Sequence, residues 1–240
     1  MALRVFILGG LLIGAWLALR RTPLARGTRI RTWLAIGIPL LAWHFTVWQF
    51  ARTGGFEARS RTGGPLPLIP AAIFLPLLIF LPPLLRSSRV TAMLDAVSPA
   101  WLVAFQVYRL RGGVFLLHWA EGALPAAFAL PAGIGDVLVG VLAVPAALYL
   151  RSGHRGGRGA ALAWNALGIL DLVVAITMGA LTTTGRLPVA IQNTATRSYP
   201  LVMIPAFAVP LSLILHGLSL RQLRRGPQGQ SQEELGTLAA

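Results

Sequence analysis

Long apolar runs, separated by short stretches that carry arginine, set the pattern of the chain. The runs fall at about residues 2–19, 32–51, 66–85, 99–120, 133–150, 160–181 and 199–223. Each approaches the ~20 residues that an α-helix needs to cross a hydrocarbon core of about 30 Å. The pattern predicts an all-α transmembrane helical bundle of about seven spans, occupying residues 1–225 as one domain. Residues 226–240 are polar and poor in apolar side chains, which predicts a disordered tail.

Local signals refine these elements. Span three carries Pro67, Pro70, Pro76, Pro82 and Pro83. Pro76 predicts a kink, and the Pro82-Pro83 pair predicts the end of the helix. Pro99 opens span four, where a first-turn proline costs little. In span seven, Pro205 frees the carbonyl of Leu201 and Pro210 that of Ala206. Such breaks serve as ion sites or hinges in some bundles and are tolerated kinks in others. The polar loop Thr182–Ser198 is long enough to fold over the outer mouth as a lid. The first run ends in Leu19-Arg20-Arg21 without a small-x-small cleavage site, so it reads as a retained helix rather than a signal peptide.

Composition fits this picture: 12% of residues are charged, and the mean hydropathy is +0.70. A soluble domain carries about twice that share of charge. There is no cysteine, which excludes disulfides, thiolate metal sites and cysteine nucleophiles. All 21 basic residues are arginine, so no lysine is available for a retinal Schiff base. The net charge of +14 does not point to nucleic acid, because the arginines flank the apolar runs and face lipid headgroups. Arginine-only usage with abundant Ala, Gly, Leu and Pro points to a GC-rich bacterial genome. The loops after spans one, three, five and seven hold 13 arginines (Arg20–Arg31, Arg86 and Arg89, Arg151–Arg158, Arg221–Arg225), against six on the other side. That asymmetry predicts a bacterial inner-membrane protein with its N-terminus outside and its C-terminus in the cytoplasm.

Ionisable residues inside the runs carry the candidate chemistry, since a charge at the bilayer centre costs at least ~2.5 kcal/mol and normally turns inward. Arg109 lies ~15 Å along span four, with Gln106 three positions before it and Gly113 four after it on one helical face. Asp136 and Asp171 follow on the next two spans, so an ion-paired interior cluster is expected. Arg111 lies about 200° from Arg109. Either span four is enclosed by protein and water, or residues 99–111 lie at the interface and Arg111 snorkels. Asp136 falls in the first turn predicted for span five, where a helix N-terminus alone would favour it. Asp171 is mid-span, and Asn165 before it is placed to hydrogen-bond across helices. Trp164 and Trp119 read as interface aromatics. Gly133-Ile134-Gly135-Asp136 and Gly168-Ile169-Leu170-Asp171 echo one another weakly.

Other constellations are thin. His44 and His216 sit at similar depths and could face each other across a haem, but no two histidines share the spacing of a metal motif. Ser212 and His216 are four residues apart, yet lack a nucleophile-elbow context. The aspartates are too scattered for a two-metal carboxylate site, and there is no P-loop.

From Gln106 onward the chain resembles a bacterial family of uncharacterised multi-pass membrane proteins. The resemblance runs over about residues 99–223. It rests on Gln106-x-x-Arg109, Gly122-x-x-Pro125, Gly133-x-x-Asp136 with Gly140, Trp164-Asn165-x-x-Gly168, Tyr199-Pro200, Pro205, Pro210, and His216 before Arg221-Gln222-Leu223. It implies a membrane protein and brings no activity with it. Members often carry a glutamate where this chain has Gly113, so that intrahelical pair is absent here.

The reading that results is a transporter-like or small-ligand-binding bundle in the lipid bilayer. Its site is formed by Gln106, Arg109, Asp136, Asn165 and Asp171, with arginine suited to an anionic or polar ligand. No catalytic residue, metal or cofactor is assigned, and nucleic acid is excluded as a partner. An intramembrane enzyme or haem protein using His44, His118 or His216 is the alternative, and a structural subunit is a third.

Overall fold

The structure is a computed structural model that describes residues 2–61 and 68–225. The expected start of span three at Leu66-Pro67 and the expected tail 226–240 lie outside the described residues. Every regular element described is helical: α1 (Ala2–Arg20), α2 (Arg26–Arg52), α3 (Gly55–Arg61), α4 (Leu68–Arg86), α5 (Ser88–Asp95) and α6 (Ala100–Phe105) come first. A 3₁₀ segment (Gln106–Gly113) leads into α7 (Val114–Ala120), α8 (Ala126–Arg151) and α9 (Gly157–Thr183). A 3₁₀ turn (Ala195–Arg197), a π-helical turn (Ile204–Ala208) and α10 (Val209–Arg225) complete the order.

Among the described residues, five helices are long and apolar enough to cross a membrane: α2, α4, α8, α9 and the continuous Ile204–Arg225. The count becomes six if α5 and Ala100–Ala120, bent by 90° at their break, form one crossing. In α1 the apolar stretch is Phe6–Arg20, shorter than a full span. The seven apolar runs therefore become five full-length helices, one bent pair and one short helix.

Prolines interrupt the helices less than expected. α4 runs through Pro82 and Pro83 to Arg86, because a proline's fixed φ is itself helical and only the donor is lost. Ser87, with extended backbone at φ −71° and ψ 122°, separates α4 from α5, and its hydroxyl accepts from the Val90 N–H at 3.3 Å. α8 starts at Ala126 rather than Gly133, since Pro131 is likewise absorbed and extended Pro125 sets the boundary. Gly122, at φ +72°, makes the turn before it. Near Pro205 and Pro210 the chain widens to π spacing, with the Val209 N–H reaching the Ile204 carbonyl. The Leu201 carbonyl that Pro205 was expected to free accepts from the Ile204 N–H at 2.9 Å.

α10 is the most enclosed of the five long helices. It packs on α4, α9 and the corner between α5 and α6, where the Gln222 amide donates to the Val97 carbonyl at 2.7 Å. α8 lies along α9 on one face and along the 3₁₀ segment on another. α2 meets the π turn through aromatics, with Trp43 and Phe207 centroids 4.7 Å apart. α5 buries Val90, Met93 and Leu94 and exposes Arg89 and Asp95, the amphipathic face of a helix lying at the bundle's edge.

Candidate functional site

Arg109 sits on the 3₁₀ segment, not on the continuous α-helix expected. Three residues per turn stack Gln106, Arg109 and Gly112 on one face. The close approach therefore falls on Gly112 rather than on Gly113 alone. A Cβ on Gly112 would land on the Asp136 side chain, and one on Gly113 would stand 3.2 Å from Val137. Gly140, one turn further along α8, meets the Leu110 backbone nitrogen at 2.7 Å from its would-be Cβ. Small residues thus let the 3₁₀ segment press against α8.

The Arg109 side chain is 2% exposed. Its Nε–H donates to Asp136 Oδ1 at 2.7 Å, and an Nη2–H donates to Asp171 Oδ2. Nη1 donates to the Gly168 carbonyl at 3.1 Å and faces His216 Nε2 at 3.3 Å. Both aspartates of the Gly-Ile-x-Asp echo therefore meet at one guanidinium. Gly168 and Gly135 make room for this. A Cβ on Gly168 would stand 2.5 Å from His216 Nε2, and one on Gly135 would land on the Asp171 carboxylate.

The network continues through α9 and α10. An arginine only donates, so His216 Nε2 is the acceptor, and the ring proton is on Nδ1. Nδ1–H then donates to Asn165 Oδ1 at 2.9 Å. The Asn165 amide in turn donates to the Ala161 carbonyl at 2.8 Å and to Ser219 Oγ at 3.1 Å. One self-consistent pattern fixes the imidazole as the neutral Nδ1–H tautomer. Beside it, Tyr108 Oη and Ser212 Oγ share a hydrogen bond of 2.7 Å.

Of the sequence-derived site residues, Arg109, Asp136, Asn165 and Asp171 are brought together. Gln106 is fully buried but stays outside the network, and its amide has no hydrogen-bond partner among the described residues. Asp136 is not in a first helical turn. With α8 starting at Ala126 it lies ten residues into the helix, so no helix N-terminus accounts for it. Trp164 is no interface aromatic: it is 4% exposed, its indole N–H donates to the Val139 carbonyl at 3.0 Å, and its ring lies 5.1 Å from His216. Arg111 is exposed, on the side away from Arg109.

His216 and His44 do not converge. Both His216 nitrogens are engaged as above, while His44 packs edge-on against Phe207 at 4.8 Å. Ser212 bonds Tyr108 rather than His216. No group of three metal-ligating side chains forms among the described residues. Sequence reasoning weighed His216 apart from the site and passed over Tyr108, the Gly168 carbonyl and Ser219. The signal was present: Ser212, His216 and Ser219 follow i, i+4, i+7 on α10, facing Asn165, Gly168 and Asp171 at i, i+3, i+6 on α9.

A cavity of about 280 Å³ opens beside the cluster. Asp136, the more exposed of the two aspartates at 13% against 6%, lines it together with Phe115, Phe128, Leu172 and Ile176. It extends to Thr183, Thr184, Thr196 and Arg197. That wall belongs to the loop expected to act as a lid, although Thr182 and Thr183 still lie in α9. The loop is pinned: Asn193 donates to Thr182 Oγ1 at 3.1 Å and accepts from the Thr196 hydroxyl at 2.8 Å, while Arg197 donates to the Thr183 carbonyl at 2.8 Å.

The family model described as Domain of unknown function (DUF8737) matches residues 65–224, which takes in α4 to α10 and the whole Arg109 network. No curated protein and no solved structure matches the chain.

Proposed function

The chain belongs to the DUF8737 family of unknown function, and from its own site we infer a transporter-like membrane bundle that takes up a small cation, the proton included, at Asp136. The observation that carries this reading is the charge inventory: two carboxylates face one guanidinium, and one of the two opens on a cavity. With both ionised, the cluster holds one negative charge in excess. A bundle interior penalises such a charge by several kcal/mol, and binding a proton or cation removes the penalty. The Arg109 donors are directed at Asp136, Asp171, Gly168 and His216, which argues against the anionic ligand that arginine suggested in the sequence. The bundle lies in a bacterial inner membrane. Its seven spans are the five long helices, α1 and Ala100–Ala120, with the N-terminus outside and the C-terminus in the cytoplasm. α5 rests at the cytoplasmic interface.

A second reading has one observation in its favour: the hydrogen bonds around Arg109 close on themselves, as in a clamp that only locks helices. Asp136→Asn separates the two. The amide oxygen still accepts from Arg109 Nε, while the excess charge disappears. Cation uptake predicts an unchanged or raised melting temperature, with loss of a protonated-carboxyl band from pH-difference infrared spectra that Asp171→Asn retains. A clamp predicts a lowered melting temperature and no such band in the wild type. The absence of cysteine adds a clean test of access. Ile176→Cys, on the cavity wall, should react faster with a cationic than with an anionic thiol reagent; equal rates, or no reaction, count against a cation-selective route. For orientation, a green fluorescent protein fused after Leu223 should be bright and a phosphatase at the same place inactive; the reverse outcome sinks the topology.

A further inference from the structure

A second, larger cavity lies on the other side of α10 and shares none of the residues just discussed. It is a cleft of about 630 Å³ between α1, α2, α4, α5, α6 and α10, with walls that include Leu11, Leu40, Trp43, Leu102 and Leu215. Phe6 and Phe105, stacked with centroids 6.5 Å apart, line it near the start of α1. From Phe6 to the end of α1 is ~21 Å at the helical rise. There the lining changes character, to Arg21, Ser87 and Arg89. Both arginines are exposed, and neither has an acidic partner among the described residues. The cleft is therefore apolar along its length and doubly cationic at one end.

Size limits what fits. A helix is about 10–12 Å in diameter with its side chains. A single extended hydrocarbon chain is the slimmer occupant, and one leaflet of a bilayer core is only about 15 Å deep. The cationic end supplies the complement to a phosphate: guanidinium groups take phosphate oxygens in charge-assisted, often bidentate hydrogen bonds, and basic pockets between membrane helices hold anionic headgroups.

We propose that this cleft is a binding site for an anionic phospholipid, one acyl chain running between α1 and α10 and the phosphate held between Arg21 and Arg89. The lipid fills the space that α1 leaves against α10 and joins the N-terminal helices to the rest of the bundle. This assignment is independent of the cation site at Asp136.

The test uses the full chain purified in detergent, with native mass spectrometry and phosphatidylglycerol or phosphatidylcholine of equal chain length as probes. Wild type should hold phosphatidylglycerol on the order of tenfold more tightly. Arg21→Gln/Arg89→Gln should bind the two lipids equally and remain monodisperse, because both side chains are exposed. Ala35→Trp, which narrows the cleft from α2, should lose both lipids. Equal retention of the two lipids by wild type, a headgroup preference that survives in the double variant, or a dimer that excludes lipid overturns the proposal.

Discussion

The two sides of α10 are built on opposite principles. Toward α8, α9 and the 3₁₀ segment, glycines bring backbones close together, and a polar network centred on Arg109 ties them to one another. Toward α1 and α2, apolar and aromatic side chains line a cleft more than twice the volume of the cavity beside Asp136, about 630 Å³ against 280 Å³. The family match begins at residue 65, so α1, α2 and α3 all precede it. The contrast teaches where specificity resides. On the polar side a missing partner leaves a buried charge uncompensated. On the apolar side most changes alter only packing area, which is forgiving.

The largest expected effect tests the polar side at its centre. Arg109→Leu leaves the buried Asp171 and the partly buried Asp136 without their guanidinium, a loss of about 3–5 kcal/mol by the measure of broken buried pairs. Folded yield from membranes, read by fluorescence-detected size exclusion, should collapse. Arg109→Leu/Asp171→Leu should recover part of it, because removing both partners costs less than removing one. Arg109→Leu/Asp136→Leu should recover some as well, since both aspartates bond the guanidinium. Strictly additive losses in both double variants, or a fully folded Arg109→Leu protein, would break the comparison.

Next in size is Gly140→Ala. Its new Cβ meets the Leu110 backbone nitrogen at 2.7 Å, and backbone cannot rotate away as a side chain can. Forcing the 3₁₀ segment off α8 should cost about 1–3 kcal/mol, visible as a lowered melting temperature. An unchanged melting temperature would show that the close approach is not required.

These two predictions also mark what the sequence made legible. Charge cost alone singled out Arg109, Asp136 and Asp171, because few residues in the apolar runs can ionise. The bundle class followed from run length. What stayed hidden depended on backbone geometry. The 3₁₀ segment moved the contact face from Gly113 to Gly112, and the α8 start at Ala126 took Asp136 out of a first turn. Neither shows in hydropathy, because helix pitch and proline tolerance are set by neighbours. The span count suffered likewise. The apolar stretch of α1, Phe6–Arg20, falls short of a full span, and Ala100–Ala120 counts as a crossing only together with α5, across a 90° bend that a window summing apolar residues does not see.

On the apolar side the effects shrink. Trp33→Phe removes the indole donor that reaches the Leu12 carbonyl at 2.9 Å between α2 and α1, and it keeps an aromatic ring against Trp16. One hydrogen bond of this kind is worth about 1 kcal/mol. A small decrease in melting temperature is expected; a loss as large as that of Arg109→Leu would place a second keystone in the N-terminal helices.

The smallest effect is also the sharpest control. Gly9 lies in the middle of α1, and a Cβ added there meets nothing within 4 Å. Gly140→Ala and Gly9→Ala are the same chemical change, one methyl group in a helix, so their difference isolates the surroundings. Alanine is the better helix former by up to about 1 kcal/mol, and no neighbour on the N-terminal side opposes it. Gly9→Ala should therefore match or slightly exceed the wild-type melting temperature, and it should leave phosphatidylglycerol retention intact because Gly9 does not line the cleft. Gly10 next to it already faces the Phe105 ring, 2.8 Å from a would-be Cβ, so if Gly9→Ala destabilises as much as Gly140→Ala, α1 is closely packed beyond that one ring contact, and the division into a glycine-tight polar side and a more loosely packed apolar side fails.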